Sequence, residues 1–142
     1  MPMGRGVTLT FRCRAETVPK VRSVVASELR HHGIDDDRVD RLVLATAEAC
    51  NNAIMHSSCA SYEVTIDVDE GESTVTVSDS GGGFDVPSNI EMPEPHALSR
   101  RGLALMRALV DKVDVTSSPT GTTVVLREPL VSPAQSVALA CR

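Results

Sequence analysis

The stretch Thr74-Val75-Thr76-Val77-Ser78-Asp79 alternates polar and apolar residues, then runs into Ser80-Gly81-Gly82-Gly83. Side chains alternate along a strand, so Asp79 points to the same side as Val75 and Val77. A carboxylate on an inward face is costly unless something there hydrogen-bonds to it. The glycines that follow let backbone come close to a bound group. The combination predicts a buried acid reading the polar edge of a ligand at the mouth of a pocket.

Working outward from that strand, Tyr62–Val68 alternates in the same way and is joined to it by Asp69-Glu70-Gly71-Glu72, a hairpin signal. Residues 7–13 read as a half-buried strand. From Thr17 to about His32, Val18, Val21, Val25 and Leu29 recur at helical spacing, and Gly33 ends that helix. Asp35-Asp36-Asp37 favours the start of a second, longer helix reaching about His56, through capping and the macrodipole. Residues 84–99, with Pro87, Pro93 and Pro95, read as a long loop. A helix over 102–111 and strands at Val113–Thr116 and Thr122–Arg127 follow. The order β, α, α, β, β, loop, α, β, β describes an α+β fold: a two-layer α/β sandwich with a mixed, largely antiparallel sheet and helices on one face. One domain over residues 1–129 and a tail over 130–142 account for the chain. A structureless stretch as long as 84–99 inside a compact domain is more often functional than accidental.

Composition narrows the function classes. The chain has 142 residues, 42% hydrophobic and 23% charged, as a soluble globular domain does. Aromatics are only 2% (Phe11, Tyr62 and Phe84), too few for the stacking platforms of single-strand nucleic-acid binding. A net charge of −5 argues against a nucleic-acid backbone as direct partner. No apolar run approaches the ~20 residues of a membrane span, and the N-terminus lacks a signal-peptide core. A reduced, cytoplasmic setting is expected. Cys13, Cys50, Cys59 and Cys141 show neither CxxC spacing nor the density of a disulfide framework. Cys50, His56 and Cys59 could be metal ligands, but six helical residues turn about 600°, which puts Cys50 and His56 on different faces. Buried or surface thiols are the simpler reading.

A second constellation lies on the long helix. Glu48, Asn52 and His56 stand at i, i+4 and i+8 and form one stripe. Ala45, Ala49 and Ala53 let that helix pack closely. By itself the stripe reads as a solvated polar face. With an inward acid, a glycine loop and Arg100-Arg101-Gly102 entering another helix, it reads as part of a nucleotide site. A helix N-terminus preceded by Arg and Gly suits phosphate, since free N–H groups and positive charge converge there. A carboxylate and an amide one turn apart can supply a base and an oxygen ligand for Mg²⁺.

Here a resemblance enters. Glu48-Ala49-Cys50-Asn51-Asn52-Ala53 resembles the N box (E-x-x-x-N) of the GHKL ATPase superfamily, which includes histidine-kinase catalytic domains, DNA gyrase and MutL. Asp79-Ser80-Gly81-Gly82-Gly83 matches its D-x-G-x-G box, Arg101-Gly102-Leu103-Ala104-Leu105 resembles the second glycine box, and Gly121-Thr122-Thr123-Val124 the final G-T-T segment. No Walker-type phosphate loop occurs in the sequence. Within the superfamily the chain is similar to bacterial anti-sigma factors that are also serine-protein kinases.

The resemblance implies the Bergerat ATP-binding fold, with ATP and Mg²⁺ as cofactors. By motif position Asp79 takes the adenine amino group, and Asn52 ligates Mg²⁺. Gly81, Gly83 and Gly102 let backbone approach the nucleotide, and Thr123 supports the adenine end. Glu48 is the general base toward a serine hydroxyl. Arg101, or Arg100, holds the phosphates unless both are merely exposed charges. Ala104 stands where many members have a further glycine, so its methyl bears on ATP affinity. His56 belongs to helix packing or capping. The implied partners are a sigma factor and an anti-anti-sigma protein of the STAS type, with a possible homodimer through the first helix and the sheet edge. Two other functions fit the same residues: an ATP-binding module that sequesters its partner without phosphorylating it, and a histidine-kinase-like catalytic domain acting in trans.

Overall fold

The computed structural model describes residues 6–56, 60–79, 100–118 and 120–130. Their elements are β1 (Val7–Arg12), α1 (Thr17–His31), α2 (Asp36–His56), β2 (Ser61–Val68), β3 (Glu72–Asp79), α3 (Arg100–Leu109), β4 (Lys112–Ser118) and β5 (Gly121–Pro129). This is the expected order. The expected loop over 84–99, Gly81, Gly83 and the tail beyond Leu130 lie outside the described residues.

The strands form one five-stranded sheet in the order β1-β2-β3-β5-β4. Where a mixed, largely antiparallel sheet was expected, all four pairings among the described residues are antiparallel. The register sets four inward rows, the one at the far end being Val68, Ser73 and Glu128. Leu9, Val64, Val77, Val124 and Val115 face one another across the sheet, and Val7, Ile66, Val75, Leu126 and Val113 make the next row. The third row changes character: Phe11, Tyr62, Asp79, Thr122 and Ser117. The apolar face of the sheet thus ends in a polar row containing Asp79. Helices α1, α2 and α3 pack against the strands, and the core between the layers is built from Val, Leu, Ile and Ala with Tyr62 as its buried ring.

Local chemistry explains the boundaries. Gly33 has φ +79, a left-handed conformation suited to glycine, and its N–H donates to Arg30 O at 2.9 Å as α1 ends. Asp35 Oδ2 accepts the Arg38 N–H at 3.1 Å, capping the start of α2, while Asp36 and Asp37 favour its positive end. In the β2–β3 turn Asp69 Oδ1 accepts the N–H groups of Gly71 and Glu72, both at 2.9 Å.

Helix α2 is fastened at its first turns by long-range polar contacts. Arg41 Nη1 donates to Glu128 Oε2 at 2.6 Å and to Leu109 O at 3.1 Å, and Arg38 Nε donates to Pro129 O at 2.9 Å. Glu128 is buried, and burial pushes its carboxyl pKa up while Arg41 pulls it down. No helix among the described residues is long and apolar enough to cross a membrane.

Two protons are held firmly at the other end of the core. Burial pushes the Cys50 thiol up from 9.0 to about 12, and the Tyr62 phenol, bonded to Thr17 Oγ1 at 2.6 Å, up from 10.0 to about 12. The unfolded chain releases these protons at lower pH than the folded one, so stability falls as pH rises from about 9 toward about 12. Urea unfolding at pH 7.5 and 10.5 should show a clear loss at the higher pH. The loss should be smaller in Tyr62→Phe, whose missing hydroxyl costs about 1 kcal/mol at neutral pH.

Candidate functional site

The polar row of the sheet lies under α2. Ala45, Ala49 and Ala53, all buried, present methyl groups where larger side chains would hold the helix away. Between the layers Ala49, Asn52 and Ala53 of α2 and Val77, Asp79, Thr122 and Val124 of the sheet line a pocket. Each layer contributes both apolar and polar groups: Ala49 and Ala53 with the Asn52 amide from the helix, Val77 and Val124 with Asp79 and Thr122 from the sheet. A planar heterocycle with a polar edge needs this arrangement.

Asp79 is 7% exposed, and its Oδ1 accepts the Thr122 N–H at 3.3 Å across the β3–β5 pairing. A carboxylate held by a backbone donor in the pocket can still receive a further hydrogen bond from a ligand amine. Asn52 is 5% exposed, and its Nδ2 has no hydrogen-bond partner among the described residues. A buried polar atom left without a partner costs about 1–3 kcal/mol. Such an amide fits a ligand or a hard cation, since a half-turn presents its carbonyl oxygen along the same direction. Glu48 stands one turn before Asn52, is half-buried, and is not among the residues that line the pocket. The residues present therefore fit a nucleotide with its magnesium ion.

The structure places the other expected residues unevenly. Gly102 is buried near the start of α3, while Arg101 beside it and Ala104 are exposed. Two residues turn a helix by about 200°, so Ala104 stands on the side opposite the buried Gly102. The side chains of His56 and Arg100 lie outside the described residues, as do Gly81 and Gly83.

Thr123 requires a correction. Its hydroxyl meets Ser78 Oγ at 3.1 Å on the outer face of the sheet, away from Asp79. Thr122, its neighbour, is the buried residue that faces the pocket, with its hydroxyl 3.2 Å from Ser117 Oγ. Alternation along β5 was the available signal: Val124 and Leu126 point inward, so Thr122 does too.

Residues 11–128 match the family described as the histidine kinase-like ATPase domain. The chain belongs to that family. Within this ATPase family it lies in the GHKL branch of anti-sigma serine kinases. The serine-protein kinase RsbW of Bacillus velezensis is 30% identical over 137 residues, covering 87% of this chain and 85% of the relative. RsbW of Bacillus pumilus is 25% identical over 135 residues, covering 84% of this chain and 83% of the relative. Among solved structures, the RsbU and RsbW domains of Rv1364c from Mycobacterium tuberculosis match with a TM-score of 0.68 at 20% identity. That match covers 87% of this chain but 32% of the other, so the chain spans about a third of that protein, and the likeness is one of fold. The histidine kinase-like ATPase domain here thus carries its acid and its N-box amide in one pocket.

The register yields a discriminating prediction for nucleotide binding. ATP·Mg at about 100 times its Kd should stabilise the wild type by about 2.7 kcal/mol. Thr123→Val should leave the thermal shift unchanged, whereas Thr122→Val should reduce it. Equal reduction by both substitutions, measured by differential scanning fluorimetry, would contradict the assignment of Thr122 to the pocket.

Proposed function

We propose that this chain is an anti-sigma factor that binds a sigma factor and uses ATP·Mg to phosphorylate an anti-anti-sigma partner of the STAS type on serine. The observation that carries the reading is one pocket lined by both Asp79 and Asn52, whose Nδ2 is unpartnered among the described residues, with Glu48 one helical turn before Asn52. The similarity to serine-protein kinases supports the choice of acceptor.

Each residue has a distinct task. Asp79, which also accepts the Thr122 N–H, takes the adenine amine and so fixes the base in the pocket. Asn52 orients the metal, and Ala49 and Ala53 present only methyl groups toward the base. Arg101 and the first turn of α3 offer positive charge toward the phosphates. Glu48 would take the proton from the incoming serine hydroxyl as that oxygen bonds to the terminal phosphorus and the bond from that phosphorus to the bridging oxygen breaks, releasing ADP. When bound, ATP·Mg supplies the phosphoryl group and neutralises the charge that develops on it. β1 is an edge strand of the sheet, so a second copy has open backbone to meet there if the expected homodimer forms.

The test is phosphoryl transfer from labelled ATP to purified STAS-type proteins of the same organism. Transfer should produce acid-stable phosphoserine and fall by about 10²–10⁴-fold in Glu48→Gln. The ATP thermal shift should survive that substitution. Nucleotide binding with no transfer to any candidate would favour sequestration without catalysis, and acid-labile phosphate on a histidine protein would favour action in trans.

A further inference from the structure

Three large apolar side chains are exposed among the described residues: Leu44 at 46%, Met55 at 75% and Leu105 at 43%. Two of them belong to α2. Eleven positions turn a helix by about 1,100°, so Leu44 and Met55 lie within about 20° of one line. Glu48 lies only about 40° from Leu44 on the same side. The Glu48 carboxylate is therefore flanked on its own helix by apolar side chains about 6 Å to one side and about 10 Å to the other along the axis.

The third side chain sits on the neighbouring helix. The Arg41 bond to Leu109 O puts the C-terminal end of α3 beside the early turns of α2. α3 packs on α2 with Met106 and Gly102 buried, so it runs back toward the pocket end with Leu105 on the outer side. Neither helix needs these three residues for its core: Val39, Leu42, Ala45 and Ala49 already fill the buried face of α2.

We infer that Leu44 and Met55 are the acceptor-binding residues of the kinase: they seat apolar side chains of the serine-bearing partner on either side of the hydroxyl that Glu48 deprotonates. The inference rests on the phosphoryl-transfer reading above. A base on an exposed helix face must receive its hydroxyl within about 2.6–3.2 Å from the solvent side, so the partner protein has to cross this stripe to react. Whatever brings the serine there also covers the apolar residues next to Glu48. Apolar anchors at the centre of an interface carry much of its binding energy, which makes Leu44 and Met55 the residues that select the acceptor.

The experiment uses the full chain and the STAS-type protein found to accept phosphate from it. Leu44→Ser and Met55→Ser remove exposed side chains, so each variant should keep the wild-type melting temperature and ATP thermal shift. The expected result is a KM for the acceptor protein raised about tenfold, with kcat nearly unchanged and additive weakening in the double variant. An unchanged KM in both variants, with transfer still dependent on Glu48, overturns this inference and leaves the kinase reading standing. An ATP thermal shift reduced along with acceptor affinity also overturns it, because the stripe then serves the nucleotide site. Failure to find any acceptor overturns the kinase reading and this inference together.

Discussion

A carboxylate at the inward end of β3 can be buried only where the helical layer leaves it hydrogen-bonding partners, and much of the rest of the site follows from that constraint. The two apolar rows of the sheet are sealed by α1, α2 and α3, while the row of Tyr62, Asp79, Thr122 and Ser117 is polar. Alanines at 45, 49 and 53 bring α2 close over this boundary without closing it. A larger residue at 49 or 53 would fill the space in front of Asp79. The fold therefore sets aside a small part of its core, at the expense of packing, to keep an acid and an amide facing a ligand.

The two ends of α2 divide the labour. At its beginning Arg38 and Arg41 reach across to Pro129, Glu128 and Leu109, tying the helix to β5 and to the end of α3. An ion pair whose carboxylate is buried gives little net stability, because that charge loses its water. Its geometric effect is larger, since Arg41 satisfies three groups on different elements and so fixes the height of α2 over the sheet. Further along, the side chain of Asn52 lines a pocket, with Glu48 half-buried one turn before it. Holding one end of a helix firmly while the other carries the chemistry is a direct way to place a base and a metal ligand.

Much of this was legible in the sequence because its signals are periodic. The valines of β3 gave Asp79 its face, and caps at Asp35 and Gly33 marked where helices begin and end. Glu48 and Asn52 share a stripe by their i, i+4 spacing alone. The reading slipped at β5, where a motif named Thr123 and the pleat chose Thr122. In a strand, a shift of one residue moves a side chain to the other face of the sheet, so motif position alone could not decide it. The contact of Arg41 with Glu128 was invisible for another reason: the partners are 87 residues apart and no local pattern links them. Glu128 nonetheless continues the inward phase of Thr122, Val124 and Leu126, and that alternation marks it as a buried acid in need of a cation. Helical phase likewise carried the exposed Leu44 and Met55, but their meaning depended on knowing that Glu48 stood between them.

The central claim is that the cleft between α2, β3 and β5 is the adenine end of an ATP·Mg site. A crystal structure of the protein with a non-hydrolysable ATP analogue and Mg²⁺ tests it most directly. The account predicts the base lodged between Ala49, Ala53 and Val77, its exocyclic amine directed at the Asp79 carboxylate, and the Asn52 amide oxygen on the metal. Nucleotide bound elsewhere, or an adenine that leaves Asp79 without a contact, would contradict it.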